Sequence, residues 1–186
     1  DSHEKMKTIA VCDTRFNNRG EMLPVQDLDY DYSRIESNVG DFHSGVLNDG
    51  ILFYNNYEKL INENDLNALF VCVPNYLAPK ATIAGLKKGL HVFCEKPPGR
   101  NVDDIKKVIE VEKEYSKLKL KYGFNHRYHG SVAKAKQIIN CGDFGEIINI
   151  RGIYGKSSVV PFVGQWRSMK KYAGGGILLD QGIHML

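Results

Sequence analysis

Short, nearly continuous apolar runs alternate along this chain with stretches of helical period. Lys7 to Cys12 reads as a buried strand ending at Asp13. Arg15 to Gly50 is polar, punctuated by Gly and Asn, and reads as a connection with short helical pieces and the bulk of an insertion; Tyr30, Tyr32 and Phe42 fall on no element. Tyr57 to Asn62 predicts one or two helical turns. Leu69 to Val73 is a second strand, stopped by Pro74-Asn75, and Leu77 to Lys88 is a helix with Gly89 at its C-cap. His91 to Cys94 is a third strand, ended by Glu95-Lys96-Pro97. Asn101 is an N-cap, with Asp103 and Asp104 facing the positive helix end. That helix is expected to run to about Lys117, with Val102, Ile105, Val108, Ile109 and Val111 on its buried stripe. Lys119 to Phe124 is a fourth strand, ended by Asn125-His126-Arg127.

Strands and helices alternating through short connections imply parallel strands and right-handed crossovers. Apolar strands of this kind fit a sheet covered on both faces. Asp13, Pro74, Asn75, Glu95, Lys96 and Asn125 then all follow strand C-terminal ends, where open parallel sheets bind ligands. After Arg127 the pattern changes. Val132 to Asn140 is an amphipathic helix closed near Gly142, Glu146 to Tyr154 a strand, Val159 to Trp166 a further strand, and Leu178 to Leu186 a helix. The expected class is α/β, a Rossmann-like doubly wound parallel sheet over residues 1–125, followed by the start of an α+β domain over residues 126–186.

Composition narrows the function. Of the 186 residues 42% are hydrophobic and 25% charged, the balance of an ordinary globular protein. A net charge of +3 with scattered Lys and Arg argues against a nucleic-acid partner. No apolar run approaches the ~20 residues needed to span a bilayer, so no membrane partner is expected. Cys12, Cys72, Cys94 and Cys141 form no metal-spaced pair, and no metal is expected; three of them belong to apolar runs, where Cys acts as a small hydrophobe. A reducing cytoplasm is the expected compartment.

The richest stretch is Gly174-Gly175-Gly176-Ile177-Leu178-Leu179-Asp180-Gln181-Gly182-Ile183-His184. Its glycines let backbone approach a ligand or another backbone. A spacing of four places Asp180 and His184 on one face of a helix, a carboxylate beside an imidazole.

Val71-Cys72-Val73-Pro74-Asn75, Gly89 to Pro97, Gly123 to Tyr128, and Gly174-Gly175-Gly176 leading to Asp180 and His184 together resemble the Gfo/Idh/MocA oxidoreductases, named for glucose–fructose oxidoreductase and inositol dehydrogenase. The resemblance implies hydride transfer between a carbinol carbon of a sugar, nucleotide-sugar or cyclitol and nicotinamide, with NAD as cofactor or NADP in its place. Lys96, Asp180 and His184 are implied to be catalytic: Lys96 polarises the hydroxyl, His184 takes its proton, and Asp180 partners the histidine or the substrate. Asp13 is implied to bind the adenosine ribose, while Arg15 could hold a 2′-phosphate. Pro74, Asn75, Glu95, Lys96 and Asn125 are further cofactor contacts, and Pro97 is expected to follow a cis peptide bond. Arg127, Tyr154, Trp166 and Arg167 join Lys96, Asp180 and His184 as substrate candidates, and the full-length protein is expected to be a homo-oligomer. A lyase or glycosidase of the same family, or a non-catalytic cofactor-binding relative, are the alternatives. The family's opening strand and GxGxxG turn have no counterpart here. The chain therefore reads as an internal slice, whose sheet would have a gap where the central first strand belongs.

Overall fold

The computed structural model describes residues 6–13, 44–47, 49–155 and 166–185. Its strands form two three-stranded sheets. In the first, β1 (Ala10–Cys12) pairs in parallel with β3 (Leu52–Tyr54), and β2 (Ser44–Val46) pairs antiparallel with β3. In the second, β4 (Ala68–Val71), β5 (His91–Cys94) and β6 (Leu120–Tyr122) are parallel in that order. No ladder joins β1 to β4 among the described residues, so the expected gap lies between the two sheets.

The helices form where sequence supplies caps and apolar stripes. α1 (Tyr57–Glu63) starts at Asn56, whose side chain accepts from the Lys59 amide at 2.9 Å. α2 (Ala78–Lys87) ends in a Schellman arrangement: the Gly89 amide donates to the Leu86 carbonyl and the Leu90 amide to the Gly85 carbonyl, with Gly89 at φ +89°. α3 (Val102–Glu114) starts at Asn101, which accepts from the Asp104 amide. α4 (Gly130–Cys141) stops at left-handed Gly142. One core gathers Val71, Ala81, Leu86, Val92 and Cys94 between the second sheet and α2. A second gathers Tyr54, Leu60, Ile61 and Leu90 around α1, with Tyr57 and Leu69 packed against both.

Several expectations are corrected. Part of the supposed connection, Ser44–Val46, is an edge strand, and β3 is a strand that the reading missed. The signal was present: Ile51-Leu52-Phe53-Tyr54 is an apolar run between Asp49-Gly50 and Asn55-Asn56. Among the described residues the second sheet is covered on one face only. Val92 and Cys94 are buried beneath α2, while Phe70, on the opposite face, is 61% exposed. Val102 and Ile109 are exposed rather than buried, because α3 packs along a narrower stripe centred on Val108. Residues 146–154 form no strand. No described strand lies beside them to complete a ladder, and Ile148 is 98% exposed. Cys72 is exposed just beyond β4. Arg15, Tyr30, Tyr32, Phe42 and all but Trp166 of the proposed 159–166 strand lie outside the described residues. Among the described residues no helix is long and apolar enough to cross a membrane, and no cluster of ligating side chains could hold a metal.

Candidate active site at the ends of β5 and β6

A cavity of about 480 Å³ opens where β5 and β6 end. Phe93, Tyr122, Phe124, Tyr128 and Tyr154 give it aromatic walls; Glu95, Lys96, Lys121, Asn125, His126 and His184 supply polar groups. Alternation accounts for Phe93 and Lys121, while Tyr122, the partner of Cys94, packs on the core and also borders the cavity. Phe93 and Lys121 are register partners facing the cavity, while their neighbours Val92 and Cys94 turn inward to the core. Beyond the strands, Glu95 and Lys96 precede the cis Lys96–Pro97 bond, and Gly123 leads into the short 3₁₀ turn Asn125–Tyr128.

Gly123 lies close against the Glu95 carboxylate. A Cβ there would lie 2.7 Å from Glu95 Oε2, so any larger residue would displace the carboxylate. That same oxygen accepts from the Lys96 amide at 3.2 Å.

Lys96 reaches 84 residues along the chain. Its Nζ donates to the Asp180 carbonyl at 2.8 Å and to Asp180 Oδ1 at 3.2 Å. Asp180 Oδ2 accepts from the side-chain amide of buried Gln181 at 2.9 Å, so both carboxylate oxygens are held. The pair is mostly shielded, with the two side chains 18% and 28% exposed.

Asp180 and His184 do not share one helix, as the spacing suggested. α6 (Ile177–Asp180) stops at Asp180, and Gly182–Met185 continues as a 3₁₀ turn. The tighter turn removes the expected 3.6-residue alignment, and the Asp180 carboxylate turns to Lys96 and Gln181. The His184 ring instead stacks on His126, with ring centres 4.4 Å apart and planes 29° apart. Its Nδ1 is buried and makes no hydrogen bond among the described residues. Burial, then the Lys96 cation, then His126 lower the His184 pKa below its ordinary value; Asp180 and Glu95 oppose this more weakly.

The glycine stretch serves backbone approach. Gly174, at φ +87°, follows α5 (Lys170–Ala173) and lies against the Arg100 backbone; a Cβ would sit 2.6 Å from Arg100 Cα. Arg100 Nη1 also donates to the Lys171 carbonyl, while its Nε and Nη2 bond Asp104. Asn75, expected beside a cofactor, is buried with its Nδ2 on the Ala173 carbonyl at 2.8 Å. Three contacts, from Asn75, Lys96 and Arg100, thus tie the 170–180 stretch to the ends of the second sheet.

The remaining candidates scatter. Asn125, Glu95 and Tyr154 line the cavity with Lys96 and His184. Pro74 does not; its carbonyl accepts from the Leu77 and Ala78 amides and starts α2. Asp13 ends β1 on the other sheet, its amide bonded to the Tyr54 carbonyl. Arg127, Trp166 and Arg167 stand outside the cavity wall, Arg167 lying over the Trp166 ring at 4.4 Å. His126 and the aromatic walls other than Tyr154 were missed. Only the alternation of β5 and β6, read together with the His126 position just past the second strand, could have signalled them.

The family described as "Oxidoreductase family, NAD-binding Rossmann fold" matches residues 32–124, and a GFO/IDH/MocA C-terminal domain matches residues 132–186. The chain is 32% identical over 108 residues to the inositol 2-dehydrogenase of Salmonella typhimurium, covering 58% of this chain and 32% of that protein. It is 31% identical over 132 residues to the levoglucosan dehydrogenase of Pseudarthrobacter phenanthrenivorans, covering 70% of this chain and 34% of that protein. Among solved structures, a levoglucosan dehydrogenase in complex with NADH and levoglucosan superposes with a TM-score of 0.66 at 29% identity, over 71% of this chain and 36% of that one. The chain spans about a third of the length of these relatives. With a Rossmann-like parallel sheet, the Glu95-Lys96-Pro97 strand end and matches to both domains of the family, this chain belongs to the Gfo/Idh/MocA oxidoreductases.

Proposed function

We propose that this chain carries the reaction centre of an NAD-dependent dehydrogenase that oxidises a secondary hydroxyl of a sugar or cyclitol. The observation that carries the reading is the opening of Lys96 and His184 onto one cavity at the strand ends, with Asp180 holding the lysine. Alcohol oxidation needs a proton acceptor and a cation beside the developing alkoxide. His184, with its charged form disfavoured by burial and by Lys96, is available as the neutral acceptor. Lys96 supplies the cation, and Asp180 fixes its amine at the cavity edge. The aromatic walls suit the apolar faces of a sugar ring, and Tyr154 joins the substrate contacts.

The cavity also fits the nicotinamide end of the cofactor. Gly123 leaves the Glu95 carboxylate room at the strand end, and Asn125 sits beside it. Glu95, Lys96 and Asn125 would hold that end; Asp13 would serve the adenosine ribose, its charge favouring NAD over NADP. Nicotinamide supplies the hydride acceptor when bound. The division at residues 125 and 126, self-association of the full-length protein and residence in the cytoplasm belong to the same proposal; the four free cysteines support the last.

The test is a panel of myo-inositol, levoglucosan and simple glucosides offered to the full-length protein with NAD or NADP, following reduced cofactor. Turnover of one of them with NAD, lost in His184→Asn, is expected. Reduction of neither cofactor by any of them, in a folded protein, would overturn the reading.

A further inference from the structure

An imidazole that takes protons is ordinarily held in plane by a hydrogen bond to its second nitrogen. His184 has none at Nδ1, although that atom is buried. Its ring lies instead against His126, 4.4 Å away and nearly parallel. His126 is itself firmly placed. It sits in the Asn125–Tyr128 turn, whose amides bond back to Gly123 and Phe124 at the end of β6. Tyr154 meets its ring edge-on at 5.1 Å and 79°, and His129 closes another side at 5.0 Å. We propose that His126 is a positioning residue: its ring, clamped to the end of β6, fixes the plane in which His184 meets the substrate hydroxyl.

The inference rests on the assignment of His184 as proton acceptor. Stacked rings place N–H groups roughly in parallel planes, which is poor geometry for passing a proton between them. The stack therefore sets orientation and is no relay. It also brings a second titratable ring into a site that already holds Lys96, Lys121, Glu95, Asp180 and His129, so His126 acts on the His184 charge as well as on its plane.

The experiment compares His126→Ala, His126→Phe and His184→Asn in the full-length protein. It uses the sugar or cyclitol that the panel identifies, and ring proton titration of His184 by NMR. His126→Ala should lower kcat by about 10- to 10²-fold, as expected of misplacing a reacting group, with a smaller change in KM. The His184 midpoint should move up in the same variant, because a ring that lowers it and a cover against water are removed. His126→Phe keeps a flat ring in the stack and should recover most of kcat. Two results overturn the inference while leaving His184 as the acceptor: wild-type kcat and midpoint in His126→Ala, or loss in His126→Phe as deep as in His126→Ala. Wild-type turnover in His184→Asn overturns the acceptor assignment itself. The NMR titration also reports whether each variant is folded.

Discussion

Lys96 Nζ bonds both the backbone carbonyl and the carboxylate of Asp180, at 2.8 and 3.2 Å, and so joins the end of β5 to a turn 84 residues later. The amine is placed at the cavity edge by two acceptors, one of which no side-chain substitution can remove. Lys96→Ala is expected to lower turnover of the full-length enzyme by ~10²–10⁴-fold, with a much smaller loss of NAD affinity from its contact at the nicotinamide end. Asp180→Asn retains the carbonyl contact and should cost less. Steady-state kinetics with fluorescence titration of NAD checks both; wild-type turnover in Lys96→Ala would remove the lysine from the chemistry.

The lowered pKa of His184 has a definite sign. Its ordinary value is 6.5, and burial with Lys96 moves the folded value below that. The unfolded chain then binds more protons than the folded one between the two values, so this group makes stability rise with pH across that window and withdraws it as pH falls through it. Activity should follow: the acid limb of kcat/KM is expected below 6.5, and Lys96→Met, which removes one of the lowering charges, should shift the His184 NMR midpoint upward. A wild-type midpoint at or above 6.5 would contradict this.

Gly174 and Gly130 differ in what they tolerate. Gly174 combines φ +87° with close contact to the Arg100 backbone. A methyl group there meets both backbone strain and a clash, and Gly174→Ala should lower stability by roughly 1–3 kcal/mol. Gly130, the first residue of α4 with open space around its Cβ position, should accept Ala within about 0.5 kcal/mol. Urea unfolding of the two variants should separate them clearly; equal midpoints would mean that the Arg100 contact is absent in solution.

The thiols offer a test of the packing. Burial pushes Cys12 up to about 12 and Cys94 up to about 11, and Cys94 has no exposed surface. Cys72 and Cys141 are exposed. Ellman's reagent at neutral pH should therefore titrate Cys72 and Cys141 in the native protein, and Cys12 and Cys94 only in denaturant. Rapid native labelling of Cys94 would show that α2 does not cover β5 as described.

Local pattern alone determined much of this protein. His91–Cys94 has the bounds that its apolar run predicted, Asn56 was not foreseen as a cap but Asn101 was, and Gly142 closes α4 as expected. The Glu95-Lys96-Pro97 strand end and its family could be read directly, because strands, caps and motifs depend on neighbours within a few residues. Tertiary structure decided the rest. The partner of Lys96, the hydrogen bond of Asn75 to the Ala173 carbonyl and the stack of His126 on His184 each join positions dozens of residues apart, and no local period encodes them. The spacing of Asp180 and His184 misled for the same reason: four residues imply a shared face only if one α-helix carries both. Here the helix gives way to a tighter turn at Gln181, and each side chain takes the partner that the fold brings to it.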